Sequence, residues 1–169
     1  TEGVLSDESV AYYRRRADAG VGLFITEGTW IDHPVASDRR AVPRFYGEDA
    51  LARWKRVIDA VHEAGGRMFP QLWHVGTATD RSTGFNPELA AASPSGISFG
   101  GSVDEKRQDL PPMTARDVDD IVDAFATAAE RAHALGFDGI ELHGAHGYLI
   151  DQFFWGVTNV RADAYNGSV

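Results

Sequence analysis

The sequence predicts an α/β fold with a parallel sheet, arranged as part of a (β/α)8 barrel. Three observations carry this. Amphipathic helical stretches alternate with short apolar strands in the order α-β-α-β-α-β, and such alternation implies right-handed crossovers between parallel strands. The turns leading into the strands are two or three residues long, whereas long segments follow the first two strands, roughly residues 28–47 and 74–113. Long loops gathered on the carboxyl side of the strands mark the face on which a (β/α) barrel builds its site.

The first helix is expected after Ser6, an N-cap residue, with Asp7 and Glu8 favourable in the opening turn. Its apolar positions are Val10, Tyr13 and Ala17, and it ends at Gly20. Residues 21–27 read as the first strand. The second helix begins at Glu48 and Asp49, carries the stripe Leu51, Trp54, Val57, Ile58 and Val61, and stops at Gly65-Gly66. Residues 67–73 form the second strand, although Pro70 is awkward inside a flat central strand. The third helix opens at Pro112-Met113-Thr114, where Thr114 and Asp117 resemble a capping box with Asp in place of Glu. Its stripe is Val118, Ile121, Val122, Phe125, Ala129 and Ala132, and Gly136 ends it. Residues 138–143 form a third, buried strand, with Ile140 and Leu142 on one face and Glu141 and His143 on the other.

A complete barrel of this kind takes about 200 residues or more, and 169 are present. A three-stranded parallel sheet leaves two open edges. The chain also begins without Met. The expectation is therefore the amino-terminal part of a single barrel domain (residues 1–169), incomplete at both ends. An open three-layer α/β domain is the competing architecture.

Composition narrows the function. Hydrophobic residues make up 43% and charged residues 24%, ordinary for a globular protein. The net charge of −9, from 25 acidic and 16 basic residues, argues against a nucleic-acid or anionic-membrane surface. The one arginine run, Arg14-Arg15-Arg16, reads as a solvated helix face. With no cysteine there is no disulfide framework, thiolate zinc site or iron–sulfur ligation within these residues. No signal peptide or membrane-length apolar run is visible, so a cytoplasmic location is expected.

Chemistry-bearing residues collect where the strands end. Thr26, Glu27 and Gly28 end the first strand, Gln71, Trp73 and His74 the second, and His143, His146 and Tyr148 follow the third. A glycine after each of the last two histidines (Gly144, Gly147) allows a sharp turn. His33, His62 and His133 lack such context and are assigned to surface or helix positions. Glu141 reads as a structural carboxylate below the site. The His-x-x-His-x-Tyr corner suits two chemistries. One is metal binding, for which Asp32, Glu27 or His74 would supply a third ligand. The other is oxyanion stabilisation by two imidazole N–H groups, with the phenol as proton donor.

The stretch His143-Gly-Ala-His146-Gly-Tyr148-Leu-Ile-Asp-Gln-Phe-Phe, followed by Thr158-Asn-Val-Arg-Ala-Asp-Ala-Tyr-Asn-Gly-Ser, resembles the old yellow enzyme family of FMN-dependent oxidoreductases. So do Ile25-Thr-Glu-Gly28 and Gln71-Leu-Trp-His-Val-Gly76, each in the expected order. The resemblance implies a TIM barrel with FMN at its carboxyl-terminal mouth. It implies that Gln71 hydrogen-bonds the flavin pyrimidine edge, that Gly28 lets the backbone approach the ring, and that His143 also adjoins the cofactor. His143 and His146 would grip a carbonyl or nitro oxygen, with Tyr148 as proton donor to an activated alkene and NAD(P)H as the reductant. Where this family usually reads Tyr-Gly-Gly-Ser, the chain has Tyr165-Asn-Gly-Ser, and Asn tolerates positive φ. The family's first strand would lie upstream of Thr1 and its phosphate-binding loops beyond Val169.

Two other readings stand beside this one: a metal-dependent barrel hydrolase built on His143, His146 and a carboxylate, and an inactive piece that survives by pairing its sheet edges with another chain. The expected partner is a small-molecule substrate, with no nucleic acid, no membrane and homo-oligomers allowed. Residues 84–107 are expected to form a mobile lid.

Overall fold

In the computed structural model, residues 2–79, 86, 88–99 and 105–166 are described. The elements, in chain order, are α1 (Asp7–Asp18), β1 (Leu23–Trp30), α2 (Glu48–Glu63), β2 (Arg67–Trp73), β3 (Ile97–Phe99), β4 (Lys106–Gln108), α3 (Ala115–Leu135), β5 (Glu141–Leu142) and α4 (Leu149–Phe154). The chain divides into two compact units: Thr1–Asp32, Arg40–Trp73 and Ala124–Leu142 form the first, and His33–Arg39, His74–Asp123 and His143–Val169 the second.

The first unit holds a parallel sheet in the order β1-β2-β5. Strands parallel and in sequence order, each separated from the next by a helix, are the arrangement of a partial α/β barrel. The helices start where the sequence places them. The Ser6 hydroxyl caps α1 by accepting from the Ser9 N–H at 3.3 Å. α2 buries Trp54, Val57, Ile58 and Val61. The Trp54 ring packs against Phe45 and Phe137, with centroids 5.7 and 6.2 Å away, and its indole N–H donates to the Arg44 carbonyl at 3.0 Å.

β1 differs from expectation. It does not end at Glu27 but runs on to Trp30, with a bulge between Ile25 and Gly28. Three steps along β1 match two along β2, since Ile25 faces Phe69 and Gly28 faces Gln71. The bulge explains how Pro70 is tolerated inside β2. Pro70 lacks an N–H, and it lies opposite the irregular stretch, one residue before β5 begins to pair at Gln71. The next N–H, that of Gln71, donates to the Thr26 hydroxyl at 2.9 Å. A side chain thus replaces the ladder acceptor that the bulge removes.

The third strand is shorter than expected and is not buried. β5 comprises Glu141 and Leu142 alone, paired with Gln71 and Leu72. Just before it, the Asp138 N–H still donates to the Met68 carbonyl at 3.2 Å. The Asp138 carboxylate accepts from the Met68 N–H and from the His62 ring, both at 2.9 Å. Burial opposes the ionisation of Asp138, but the His62 and Met68 hydrogen bonds outweigh it and hold the carboxyl below its ordinary value. Gly139 lies under the Phe69 ring, where a Cβ would sit 2.8 Å from ring carbons. Leu23, Ile25, Ile140 and Leu142 are 36–51% exposed. Phe24, Met68 and Leu72 are buried on alternate positions, Phe24 against Tyr13 of α1. Leu23 and Ile25 therefore occupy the sheet face opposite the helices.

In the second unit, the Thr114–Asp117 capping box is formed. The Asp117 carboxylate accepts from the Thr114 N–H at 2.7 Å, and the Thr114 hydroxyl accepts from the Asp117 N–H at 3.2 Å. The buried stripe of α3 is Val118, Ile121, Ala124, Ala128 and Ala132. Val122, expected inside, is 53% exposed, and Phe125 and Ala129 are half-buried, because the buried stripe runs through positions 121, 124 and 128 rather than 122, 125 and 129. Three elements were not foreseen: the antiparallel strands β3 and β4 within the long segment after β2, and α4 after the histidine corner. The expected lid includes residues 84, 85, 87 and 100–104, which lie outside the described residues. Its described part is anchored, with Ala91, Ala92, Ser93 and Ile97 buried and the Ser93 carbonyl accepting from the Met113 N–H at 3.0 Å.

Candidate active site

In the second unit, His143, His146 and Tyr148 come together as the sequence anticipates. The His143 ring lies 4.8 Å from Tyr148 and 5.2 Å from His146, centroid to centroid, with edge-to-face angles of 89° and 73°. His146 and Tyr148 are 6.4 Å apart. His143 and Tyr148 are half-buried and His146 is exposed. Two imidazole edges and one phenol thus adjoin a common surface, a donor set suited to an anionic or carbonyl oxygen.

The turn that presents them has a defined cause. Tyr148 N–H donates to the Ala145 carbonyl at 3.2 Å, closing residues 145–148. Gly147 has φ of +73°, as its position suggested, but His146 also occupies the left-handed region, with φ of +60°. A non-glycine residue there costs roughly 1 kcal/mol or more, so surrounding bonds must hold it. α4, which begins immediately after Tyr148, supplies them. The Asp151 carboxylate accepts from the Gly147 N–H at 2.7 Å, and the Gln152 amide donates to the Gly147 carbonyl at 2.5 Å.

In the first unit, Gly28 and Gln71 are register partners on adjacent strands. A Cβ on Gly28 would lie 3.6 Å from the Gln71 Oε1 and 3.4 Å from the Trp73 ring. Bare backbone thus adjoins a carboxamide that both donates and accepts, a donor set that matches a planar heterocycle edge such as that of a flavin. Gly28 sits within β1 rather than at its end, because the strand continues past the bulge. Thr26 is buried in that bulge, and Glu27 is half-buried with its carboxyl pushed up by desolvation. Glu141 Oε2 is buried and without a hydrogen-bond partner among the described residues.

The metal-binding reading gains no third ligand. Asp32 pairs with Arg131 at 3.4 Å, and His74 Nε2 is 2.9 Å from His33 Nδ1. Among the described residues, no group of three His, Asp or Glu side chains is placed to hold a metal ion. His33, expected at the surface or on a helix, is half-buried and has His74, 41 residues away, as a ring partner. His74 Nδ1 accepts from the Gly76 N–H at 3.0 Å, so Nε2 carries the proton and donates to His33. Burial, then the neighbouring imidazole, drives the His74 pKa well down. Burial also lowers that of His33, against the opposing charges of Asp120 and Asp117.

The segment after α4 is tied down by side chains. Thr158 Oγ1 donates to the Gln152 carbonyl at 2.7 Å, Asn159 Nδ2 donates to the Phe153 carbonyl at 2.9 Å, and the Arg161 guanidinium donates to the Pro94 and Met113 carbonyls. Asn166 does not use a positive φ. Its N–H donates to the Asp163 carbonyl at 3.1 Å. Gly167 and Ser168 of the departing motif lie outside the described residues.

Residues 1–169 match the NADH:flavin oxidoreductase / NADH oxidase family. The chain belongs to that family. It is 39% identical to the flavin oxidoreductase hxnT of Emericella nidulans over 98% of its own length and 43% of the relative's. Among solved structures, it superposes on the old yellow enzyme of a Pichia species with a TM-score of 0.85, at 32% identity, covering 98% of this chain and 44% of that one. Morphinone reductase, solved in complex with tetrahydroNAD, gives a TM-score of 0.83 at 33% identity, with 98% and 48% covered. The chain therefore spans somewhat under half the length of these relatives. The fold is that of an old yellow enzyme barrel in part, and the family uses FMN and a reduced nicotinamide.

Proposed function

We propose that residues 1–169 are the amino-terminal part of a single FMN-binding barrel domain, in an oxidoreductase that reduces activated alkenes at the expense of NAD(P)H. The alkenes are α,β-unsaturated carbonyl or nitro compounds. The observation that carries this reading is the edge-to-face cluster of His143, His146 and Tyr148. Family membership and the Gly28–Gln71 pairing support it.

The roles follow from the chemistry of the groups. Gln71 holds a heterocycle edge through its carboxamide, and Gly28 leaves room for the cofactor by lacking a side chain. The imidazole N–H groups of His143 and His146 grip the carbonyl or nitro oxygen of the acceptor. As negative charge builds on that oxygen, each donor contributes about 10²–10³ in rate. The Tyr148 hydroxyl delivers the proton to the carbon next to the activating group, and the half-buried position of the ring limits competing water. FMN, when bound, supplies the hydride, and NAD(P)H replenishes it.

The test uses the protein carrying its complete barrel. It should bind FMN and turn yellow, lose that colour under NAD(P)H without oxygen, and regain it on addition of an enone. A protein that stays colourless in excess FMN overturns the proposal.

A further inference from the structure

We infer that Asp151 and Gln152 of α4 are positioning residues that hold the turn between His146 and Tyr148 in its working shape. The inference rests on the reading of His143, His146 and Tyr148 as the acceptor-binding corner.

Both polar groups of one residue are taken by this pair of adjacent side chains. The Asp151 carboxylate accepts from the Gly147 N–H at 2.7 Å, and Gln152 Nε2 donates to the Gly147 carbonyl at 2.5 Å. Gly147 lies between the exposed imidazole and the phenol, and it follows a histidine in the left-handed region. Without these two bonds, His146 would relax to an ordinary negative φ, swinging its ring away from the neighbours now 5.2 and 6.4 Å distant.

Gln152 is 2% exposed, although a short surface helix does not ordinarily bury an amide. Its burial makes sense as a bridge. Its Oε1 accepts from the Thr77 N–H at 3.2 Å, and a Cβ on Gly76 would collide with the amide at 2.6 Å. The Leu149 N–H donates to the His74 carbonyl at 3.1 Å, fixing the start of α4 to the same loop. The turn is thereby tied to residues 74–77 as well as by its own bonds. The Asp151 bond is charge-assisted, the stronger of the two kinds.

The experiment is amide exchange of Gly147 by NMR, with the ring signals of His143 and His146 as a second readout. Both are measured in the protein carrying its complete barrel and need no turnover. Asp151→Ala should speed Gly147 exchange about tenfold or more. The histidine ring signals should move with it, because their ring-current shifts from Tyr148 depend on placement. Asp151→Asn keeps an acceptor oxygen and should restore most of both, whereas Gln152→Met should move both signals. The Val75 amide, bonded to the Ala36 carbonyl at 2.8 Å, is the control for general loosening. Unchanged Gly147 exchange in Asp151→Ala overturns the inference. So does an equal acceleration at Val75, or histidine signals that stay in place. Failure of the protein to bind FMN would refute the functional reading, while these measurements would still decide the clamp.

Discussion

Replacing Thr26 by Val tests how the bulge in β1 is held beside Gly28 and Gln71. The two side chains have nearly the same volume, so the change removes one hydroxyl without opening a cavity. That hydroxyl makes three contacts: it accepts from the Gln71 N–H at 2.9 Å, donates to the Glu27 carbonyl at 2.7 Å, and lies 3.2 Å from the Thr29 hydroxyl. Loss of the second is softened, because Thr29 Oγ1 also donates to the Glu27 carbonyl at 2.9 Å. The first has no replacement, and a buried N–H left unpaired costs about 1–3 kcal/mol. With a urea m-value of about 2 kcal/mol/M, the unfolding midpoint should fall by roughly 1 M with m unchanged. Thr26→Ser keeps the hydroxyl and loses one methyl, costing about 1 kcal/mol. Tryptophan fluorescence against urea measures both. The reasoning fails if Thr26→Val is as stable as Thr26→Ser, since the hydroxyl would then be irrelevant to the bulge.

Other outcomes follow from the same structure. Trp54→Ala removes a fully buried ring packed on Phe45 and Phe137, and should cost about 3–5 kcal/mol in chemical denaturation. Gln71→Ala, in the protein with its complete barrel, should weaken FMN binding about tenfold by fluorescence titration while the fold persists. Stability should depend on pH through the His33–His74 pair. Both imidazoles have pKa values below the ordinary 6.5 in the fold, so the unfolded chain takes up protons first as pH drops. Their contribution is thus complete above about pH 6.5 and declines below it, by up to about 1.4 kcal/mol per pH unit for each histidine. Thermal melts between pH 7 and 5 measure this slope, and His74→Asn, which keeps an acceptor near Gly76, should flatten it.

Much of the fold was legible in the sequence because local signals and tertiary demands agreed. Ser6, Thr114 and the stripe Trp54, Val57, Ile58, Val61 each point to a helix that the structure forms. β2 coincides with the expected residues 67–73 despite Pro70. What could not be read depended on partners distant in sequence. The bulge at Thr26–Glu27 lies opposite Pro70, which belongs to another segment, so it shows only once the register of β1 on β2 is known. Asp138 shows contacts the sequence did not reveal: its N–H donates to the Met68 carbonyl at 3.2 Å, and its side chain engages the Met68 N–H and His62, 70 and 76 residues away. His33 gave no signal because its partner is His74.

The histidine corner was legible because its three members sit within six residues of one another, so the turn alone gathers them. The support from Asp151 and Gln152 was missed for a different reason. Both read as ordinary helix residues, and only the positive φ of His146, invisible in the sequence, shows that the turn needs holding. A signal was nevertheless present. Asp151 stands four residues after Gly147, the distance at which a following helical turn reaches back to a preceding loop, with Gln152 adjacent to it.

The central claim is that Tyr148 delivers the proton to an alkene held by the two histidines. It is tested most directly by separating the two half-reactions of the FMN-loaded, complete protein by rapid mixing without oxygen, comparing wild type with Tyr148→Phe. The account predicts flavin reduction by NAD(P)H at an unchanged rate, and reoxidation by an enone slowed about 10²–10⁴-fold. Reoxidation at the wild-type rate in Tyr148→Phe would contradict it.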